Sequence, residues 1–175
     1  YQLESGKTIN LTEGMMGYDI NPSFNKQNQL AWMSMKRDGY EADKQDIIVW
    51  NGVTKMNLTQ QRDDIHVEGF RWSDDDRSIY FYAPINGTLQ LFEVKYPGVS
   101  KMMPVIRQIT NGDFDINSII GQSGNQLIVS RTDMNHAAEI YTVDIATGSM
   151  KQLTHVNDET YASLSMSKIE RRIVK

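Results

Sequence analysis

Residues 141–154 read YTVDIATGSMKQLT, which is an alternating strand, a turn with a glycine, and a return strand that ends in Leu-Thr. In a strand, every second side chain faces the same side, so alternation of this kind indicates that one face is buried. Gly148 supplies the positive φ that a tight turn between two strands needs. The stretch therefore predicts the outer strand pair of a small antiparallel sheet.

The same ending recurs along the chain in four variants: Asn10-Leu11-Thr12, Asn57-Leu58-Thr59, Gln108-Ile109-Thr110 and Gln152-Leu153-Thr154. Successive threonines of these endings are separated by 47, 51 and 44 residues. Periods of about 40–50 residues are typical of the blades of β-propellers.

A second repeated feature lies early in each unit, where a strand, a polar turn and another strand follow one another. Residues 24–32, 70–81 and 119–129 all have this order. Their turns are rich in Asp, Asn and Gly, which favour turn geometry through their short polar side chains or the missing Cβ. Each unit is therefore predicted to contain four short antiparallel strands. The fold class that we expect is all-β, a partial propeller of about three blades with partial blades on either side.

The repeats also predict boundaries within the chain. We expect residues 1–12 to end a preceding blade and residues 160–175 to be an exit strand or linker. The three blades between them are predicted at 18–59, 65–110 and 115–154.

Composition excludes several classes of function. The formal net charge is −4, and no cluster of basic residues lies beyond the neighbourhood of residues 170–172, so we expect no nucleic-acid partner. No apolar run approaches the roughly 20 residues that cross a bilayer, so no membrane span is predicted. Cysteine is absent, which excludes disulfides and thiolate metal sites. The chain begins at Tyr1 with neither an initiator Met nor a signal pattern, and we interpret it as a fragment of a longer protein.

The sequence contains no complete catalytic or metal-binding constellation. His66, His136 and His155 are far apart and lack the paired spacing of metal ligands. The Asp-rich turn at 74–76 fails the register of a calcium loop. Ser123 lies in the sequence GQSGN at residues 121–125, with the wrong spacing for a nucleophile elbow and in a predicted hairpin turn. We therefore predict no catalytic residue, no metal site and no cofactor for this chain.

Four stretches resemble a known family. The turn at 73–76 and the Leu-Thr endings are similar to TolB-type and WD40-like repeats. The sequences LTEGMMGYD at 11–19, MKRDGYEADK at 35–44 and LSMSKIERR at 164–172 resemble the propeller of prolyl-oligopeptidase-type serine peptidases. Within that family, they are most similar to the branch of bacterial dipeptidyl-peptidase V and acylaminoacyl-peptidase.

The resemblance implies a non-catalytic role. The propeller would gate access of peptide substrates and form part of the substrate cavity, while the hydrolase domain of the same parent chain would carry the Ser-Asp-His triad. It also implies a periplasmic or secreted location. The alternative is a TolB-like propeller of the cell envelope that acts as a protein-interaction scaffold. The open reading frame beyond Lys175 would discriminate the two hypotheses, since only the first requires a Gly-x-Ser-x-Gly motif there.

The loop that follows residue 36 is the candidate substrate-binding site. It contains Arg37, Tyr40, Glu41 and Asp43 around one glycine, and an acidic residue that faces a cleft can bind the free α-amino group of a peptide. The other interpretation is a solvated hairpin loop whose ion pairs each contribute little. We also expect the fragment to self-associate, because three blades are fewer than a closed ring needs and would leave strand edges exposed.

Overall fold

The chain folds into twelve β-strands and one short α-helix within residues 1–98, 100, 102–172 and 174, which are those that the computed structural model describes. The first sheet contains β1 (Asp19–Phe24), β2 (Leu30–Met35), β3 (Gln45–Trp50) and β4 (Lys55–Asn57). The second contains β5 (Gly69–Trp72), β6 (Ser78–Ile85), β7 (Thr88–Lys95) and β8 (Ile106–Gln108). The third contains β9 (Asp115–Ser123), β10 (Gln126–Thr132), β11 (Glu139–Asp144) and β12 (Met150–Gln152), and α1 (Asp158–Ala162) follows it.

Each sheet is an up-and-down meander whose four strands pair antiparallel in chain order. The first strands of successive sheets are neighbours, with β1 beside β5 and β5 beside β9. Such a stack of four-stranded sheets is the architecture of propeller blades. The expectation of an all-β partial propeller with three four-stranded antiparallel sheets is confirmed, and no sheet closes on itself within the described residues.

The parts that flank the sheets contain turns and the helix. Residues 1–12 contain turns and no strand, and residues 163–172 contain no strand either. Their assignment to a preceding blade and to an exit segment stays a prediction, as do the blade boundaries. Of the predicted segments, Val99 and Lys101 in 65–110 and Ile173 and Lys175 in 160–175 lie outside the described residues.

Two apolar cores hold the three sheets together. Between the first and second sheets, Met33, Ile47 and Val49 meet Phe81 and Phe92, whose rings stack at 5.3 Å between centroids. A second core lies between the second and third sheets and consists of Tyr80, Leu91, Ile109, Ile116, Leu127, Val129, Val143 and Ile145. Because burial of apolar area is the main favourable term in folding, each inner sheet face depends on its neighbour.

The up-and-down order places the loops at two ends of the stack. One end, which we call the connector end, carries the hairpin loop between the second and third strand of each sheet and the connection to the next sheet. It consists of residues 36–44, 58–68, 86–87, 109–114, 133–138 and 153–157. The turns between first and second strands and between third and fourth strands lie at the opposite end.

Candidate functional site

The connector end carries three hairpin loops of different length. The loop of the first sheet spans residues 36–44, that of the second sheet is the two-residue turn Asn86-Gly87, and that of the third spans 133–138. The short middle turn leaves a gap between two longer loops. Since loops on a rigid scaffold are where binding residues concentrate, the connector end is the candidate functional surface.

In the first loop, Arg37 and Asp43 close the hairpin. The guanidinium donates two hydrogen bonds to the Asp43 carboxylate, from Nε at 3.2 Å and from a terminal nitrogen at 2.9 Å. The backbone N–H of Arg37 donates a third at 3.0 Å. These hydrogen bonds hold the pKa of the Asp43 carboxyl below its usual value, so Asp43 is an anion that is already paired.

Tyr40 belongs to the same cluster, since its ring centroid lies 4.0 Å from the guanidinium carbon of Arg37. A tight turn supports this contact: Gly39 has a φ of +72°, and the carbonyl of Tyr40 accepts a hydrogen bond from the N–H of Asp43. The structure thus brings together three of the four predicted residues, Arg37, Tyr40 and Asp43.

Glu41 is the fourth predicted residue, and it lies at the exposed tip of this loop. Its carboxylate has no hydrogen bond or ion pair to any residue that the structure describes. Of the two acidic candidates, Asp43 is occupied within the loop, and Glu41 is the one whose charge is accessible to a ligand.

A second feature of the connector end is a cleft of about 530 Å³ between the 133–138 loop and α1, which we call the helix cleft. It is lined by Arg131, Thr132, Asp133, His136, Ala137, Glu139, Tyr141, Gln152, Asp158, Tyr161 and Ala162. Its volume lies within the range of small-ligand pockets.

The loop side of the helix cleft is fixed by polar contacts. His136 donates from Nδ1 to Asp133 at 2.8 Å, and its ring packs edge-on against Tyr161 at 4.9 Å between centroids. The N–H of Asn135 also donates to Asp133. Burial by itself raises the pKa of the Asp133 carboxyl, but these hydrogen bonds outweigh that effect and lower it.

Glu139 fixes the other side of the helix cleft. Its buried carboxylate accepts hydrogen bonds from the Thr154 hydroxyl and from the backbone N–H groups of Val156 and Asn157. The bond from Thr154 is the main cause that lowers the pKa of Glu139. Glu139 therefore anchors the segment that leads from β12 into α1, and it is not a free acid.

A neighbouring cleft of about 450 Å³, which we call the turn cleft, lies above the short Asn86-Gly87 turn. The start of β9, the 133–138 loop and the segment near Ile169 and Arg171 complete its walls. Arg171 pairs with Asp113 across it at 2.6 Å. The side-chain amide of Asn135 donates to the carbonyl of Ser167, so the segment after α1 lies along the turn cleft.

At the opposite end, a buried acid joins the three strands β6, β7 and β8. Glu93, whose side chain is 5% exposed, accepts hydrogen bonds from Ser78, Lys95 and Arg107. Arg107 also donates to the carbonyl of Ile145 in the third sheet at 2.8 Å. Burial alone raises the pKa of Glu93, but these donors outweigh it and lower the pKa. The Glu93 carboxylate is therefore satisfied internally, and through Arg107 the cluster connects the second sheet with the third.

Ser123 and the histidines His66 and His155, considered from the sequence as nucleophile and metal ligands, lie in hairpins or loops and make local contacts. Ser123 ends β9 and leads through Gly124 into β10, so it sits in a hairpin and not in the strand-to-helix turn of a nucleophile elbow. His66 accepts from the N–H of Gln45, and His155 contacts Asp158. Within the described residues, no group of three or more His, Cys, Asp or Glu side chains could hold a metal ion.

Sequence reasoning missed the helix cleft. Arg131, Asp133 and His136 carry no motif, and the cleft exists only because the segment after β12 returns to the 133–138 loop. One signal was available: the repeat predicts hairpin loops at equivalent positions, and the loop at 133–138, like that at 36–44, is longer than a two-residue turn.

The family model described as the dipeptidyl peptidase IV (DPP IV) N-terminal region matches residues 16–175. The chain is 31% identical over 177 residues to dipeptidyl-peptidase 5 of Porphyromonas gingivalis and 36% identical over 174 residues to that of Porphyromonas endodontalis. These alignments cover 100% and 98% of this chain but 25% and 24% of the relatives. The chain thus spans about a quarter of the length of the curated relatives it matches.

Solved structures of peptidases have a similar fold. An acylaminoacyl peptidase of Pyrococcus horikoshii matches with a TM-score of 0.64 and 19% identity, over 85% of this chain and 21% of that one. A putative dipeptidyl aminopeptidase IV of Bacteroides ovatus matches with a TM-score of 0.64 and 16% identity, over 86% and 24%. The β-propeller domain of the Trilobed protease of Pyrococcus furiosus matches with a TM-score of 0.56 and 20% identity, over 78% and 38%. At these identities the likeness shows the fold alone.

Proposed function

Because the chain belongs to the family of the dipeptidyl peptidase IV N-terminal region, we propose that it forms a non-catalytic wall of the substrate cavity in a serine peptidase. The chemistry would be supplied by a hydrolase domain of the same parent protein, through nucleophilic attack by Ser with His as the base. The match of this chain to about a quarter of two dipeptidyl-peptidases supports that division of labour.

The connector end is the part of the chain that we assign to the substrate side. It carries the helix cleft, the turn cleft and the predicted residues Arg37, Tyr40, Glu41 and Asp43. A propeller positioned over an active site also restricts access to small peptides, because its loops are held by packed sheets. We include this gating in the proposal.

The observation that carries the residue assignment is the pairing state of the two acids in the first loop. Asp43 is bonded to Arg37 at 2.9 Å, whereas the exposed Glu41 has no partner within the described residues. A free carboxylate beside a substrate cavity can bind the α-ammonium group of a peptide through a charge-assisted hydrogen bond. Arg37, Tyr40 and Asp43 would then position the loop, and Glu41 would contact the substrate.

Replacement of Glu41 by Gln in the full-length parent enzyme tests this assignment. We expect kcat/KM on a dipeptide substrate with a free amino group to fall by about tenfold or more, since a hydrogen bond between charged groups contributes about 1.5–3 kcal/mol. On the same substrate with an acetylated amino group, the variant and the parent enzyme should have equal kcat/KM, because no α-ammonium group is present to bind Glu41. Asp63→Asn, an exposed acid elsewhere at the connector end, is the matched control. Unchanged kcat/KM in Glu41→Gln would remove Glu41 from the site.

Gating and location have separate tests. If the propeller filters substrates by size, kcat/KM of the parent enzyme should fall steeply when the same N-terminal sequence is presented on longer peptides and then on a folded protein. An exported enzyme would appear in the periplasmic or extracellular fraction of the cells that make it. Within the described residues, no helix has the length and the apolar content that a membrane crossing requires.

A further inference from the structure

His66 lies on the 58–68 connection between the first two sheets and contacts Gln45, the first residue of β3. Its Nδ1 accepts a hydrogen bond from the backbone N–H of Gln45 at 3.2 Å. The next residue of the connection, Val67, donates its N–H to the carbonyl of Gln45 at 3.1 Å. The connection therefore pairs with both main-chain groups of Gln45, as a neighbouring strand would.

The side chain of Gln45 matches the neutral form of the His66 ring. Because Nδ1 accepts a hydrogen bond, the proton of the neutral imidazole is on Nε2. The amide nitrogen of Gln45 lies 3.4 Å from this Nε2, and the amide oxygen is buried without a partner within the described residues. A half-turn of the amide, whose two ends have nearly the same shape, brings the oxygen to the Nε2–H and satisfies both groups.

Gln45 directly follows the loop that carries Glu41, so a contact that fixes Gln45 also fixes the end of that loop. Lys44, the last loop residue, is held to the same connection through the carbonyl of Thr59 at 3.1 Å. A carbonyl oxygen does not gain a proton near neutral pH, but an imidazole nitrogen does. The His66 contact is therefore the one of the two that can respond to pH.

Glu68 offers a different partner to the charged form of the ring. Its carboxylate is 3.7 Å from Nε2 of His66, and its side chain is 42% exposed. A proton on Nδ1 would leave the N–H of Gln45 without its acceptor and set two N–H groups against each other. The positive charge on the ring would at the same time favour pairing with the carboxylate.

The other charged groups on the surrounding elements pair with each other or are neutral. Lys44 and Asp46, on either side of the first residue of β3, pair at 2.7 Å. On the connection itself, Arg62 and Asp64 pair at 2.6 Å. Tyr82 of β6 is neutral, because burial raises its pKa. Within the described residues, the carboxylate on the far side of the ring is the one at ion-pair distance from it.

From this geometry we propose that His66 is a pH-sensitive positioning residue for the 36–44 loop. The neutral ring holds the end of the loop through Gln45, and the protonated ring releases it and pairs with Glu68. Mildly acidic conditions would then loosen the loop that presents Glu41 and leave the sheets folded. The inference rests on the proposed function only in taking this loop to contact the substrate.

The test follows the amide exchange of this chain by NMR between about pH 5 and 8, the range in which histidines titrate, with the charge on His66 read from its ring resonances. After correction for the intrinsic pH dependence of exchange, the protection of the Gln45 N–H should fall by about fivefold or more as His66 becomes charged, as expected for loss of one hydrogen bond. In His66→Gln, whose side-chain oxygen accepts a hydrogen bond throughout this range, the protection should not depend on pH. His155→Gln, which removes an exposed histidine paired with Asp158, is the matched control and should behave like the unmodified chain.

A second variant separates release of the loop from a general loss of stability. Glu68→Gln removes the partner of the charged ring, so protection at Gln45 should be lost at a lower pH, while the amide of the buried Phe81 in β6 should stay protected throughout. Constant protection at Gln45 while His66 titrates, pH dependence that persists in His66→Gln, loss at the same pH in Glu68→Gln, or an equal fall at Phe81 would each overturn the inference. Because the measurement needs no substrate, its outcome is independent of the result for Glu41.

Discussion

The hydroxyl of Thr59 accepts a hydrogen bond from the backbone N–H of Ile47 at 3.1 Å and donates to Asp46 at 2.5 Å. Thr59 is the last residue of a Leu-Thr ending, and Ile47 lies near the start of the third strand of the same sheet. Because β4 ends at Asn57, the threonine side chain replaces the main-chain partner that the strand no longer supplies. The hydroxyl thus closes the sheet at the connector end.

The same bond occurs in the other two sheets. The Thr110 hydroxyl accepts from the N–H of Leu91 and the Thr154 hydroxyl from that of Ile140, both at 2.9 Å. The Leu-Thr repeat therefore has a physical cause: each sheet requires an acceptor at this point, and threonine supplies it.

Thr59→Val should destabilise the chain by about 1–3 kcal/mol, because it leaves the buried N–H of Ile47 without a partner. Thr12 is the matched control. It ends the same Asn-Leu-Thr tripeptide, but within the described residues its hydroxyl contacts only the Asn10 side chain. Thr12→Val should change the free energy of unfolding in urea by less than about 0.5 kcal/mol. Equal effects of the two substitutions would contradict the role given to Thr59.

Gly148→Ala should be far more destabilising than Gly124→Ala. Both glycines have positive φ, +72° and +56°, so alanine introduces similar backbone strain of about 1 kcal/mol at each. A Cβ at Gly148 would also lie 2.1 Å from the carbonyl oxygen of Ile109, whereas one at Gly124 meets nothing within 4 Å. Ile109 follows β8 of the second sheet and Gly148 lies in the third, so the added methyl group would force these two sheets apart. We expect a loss of about 3 kcal/mol or more for Gly148→Ala, measured by thermal or urea unfolding, and comparable losses for the two variants would be inconsistent with the packing described.

Stability should fall at acidic pH through Glu93. Its pKa in the folded chain is below the ordinary value of 4.5, so the unfolded chain binds the proton more readily. The contribution of Glu93 is fully present above pH 4.5 and is lost as the pH falls through its lower folded value. Urea unfolding at a series of pH values between 3 and 7 measures how the free energy of unfolding depends on pH.

Glu93→Gln isolates that contribution. The variant should be less stable at neutral pH by about 1–2 kcal/mol, because Lys95 and Arg107 lose a charged partner but are themselves partly exposed. Its stability should also fall less steeply below pH 4.5 than that of the parent chain. If the free energy of unfolding fell equally steeply below pH 4.5 in both proteins, the loss of stability in acid would come from other carboxyl groups.

Asp43→Asn should loosen the first connector loop and leave the sheets intact. An exposed ion pair contributes about 0–1 kcal/mol to stability, so the midpoint of unfolding should hardly move. Because Asn has no charge and only one acceptor oxygen, the bidentate pairing with Arg37 is lost, which should raise amide exchange in residues 37–43. Hydrogen exchange read by mass spectrometry distinguishes this outcome from a loop that stays ordered without the pair.

The chain should self-associate through the outer face of the third sheet. Leu58 and Ile109, in the first two endings, are 0% and 8% exposed, because a neighbouring sheet covers them. The equivalent Leu153 is 47% exposed and Ile120 of β9 is 51% exposed. A second copy would cover this apolar face and shield the strand edges. Light scattering should give a mass above the 20.0 kDa of one chain, and Leu153→Lys should give the monomer mass. A monomer mass for the unmodified chain at all micromolar concentrations would refute the prediction.

The candidate site could be predicted only in its local part. Arg37, Tyr40 and Asp43 are within seven residues of one another, so a hairpin was bound to bring them close. The bidentate pairing that removes Asp43 as a free acid depends on the side-chain geometry of the folded loop. The helix cleft was not predictable, because His136 and Tyr161 meet through a segment that turns back after β12 and has no repeat to reveal it.

The amino-acid sequence by itself determined the repeat, the four-stranded units and the turns, because alternation, glycines and Leu-Thr endings act over a few residues. Only the tertiary structure decided which charges remain available. Glu93 and Glu139 are acids by sequence, yet Glu93 is paired with donors from its own and neighbouring strands and Glu139 with donors from the segment after β12. Arg131 lies against the rings of Phe114 and Tyr141, and its nitrogen is 4.0 Å from the Asp133 carboxylate. Whether a charged group binds a ligand or stabilises the fold depends on its partners in space, and those are set by the packing of one sheet on the next.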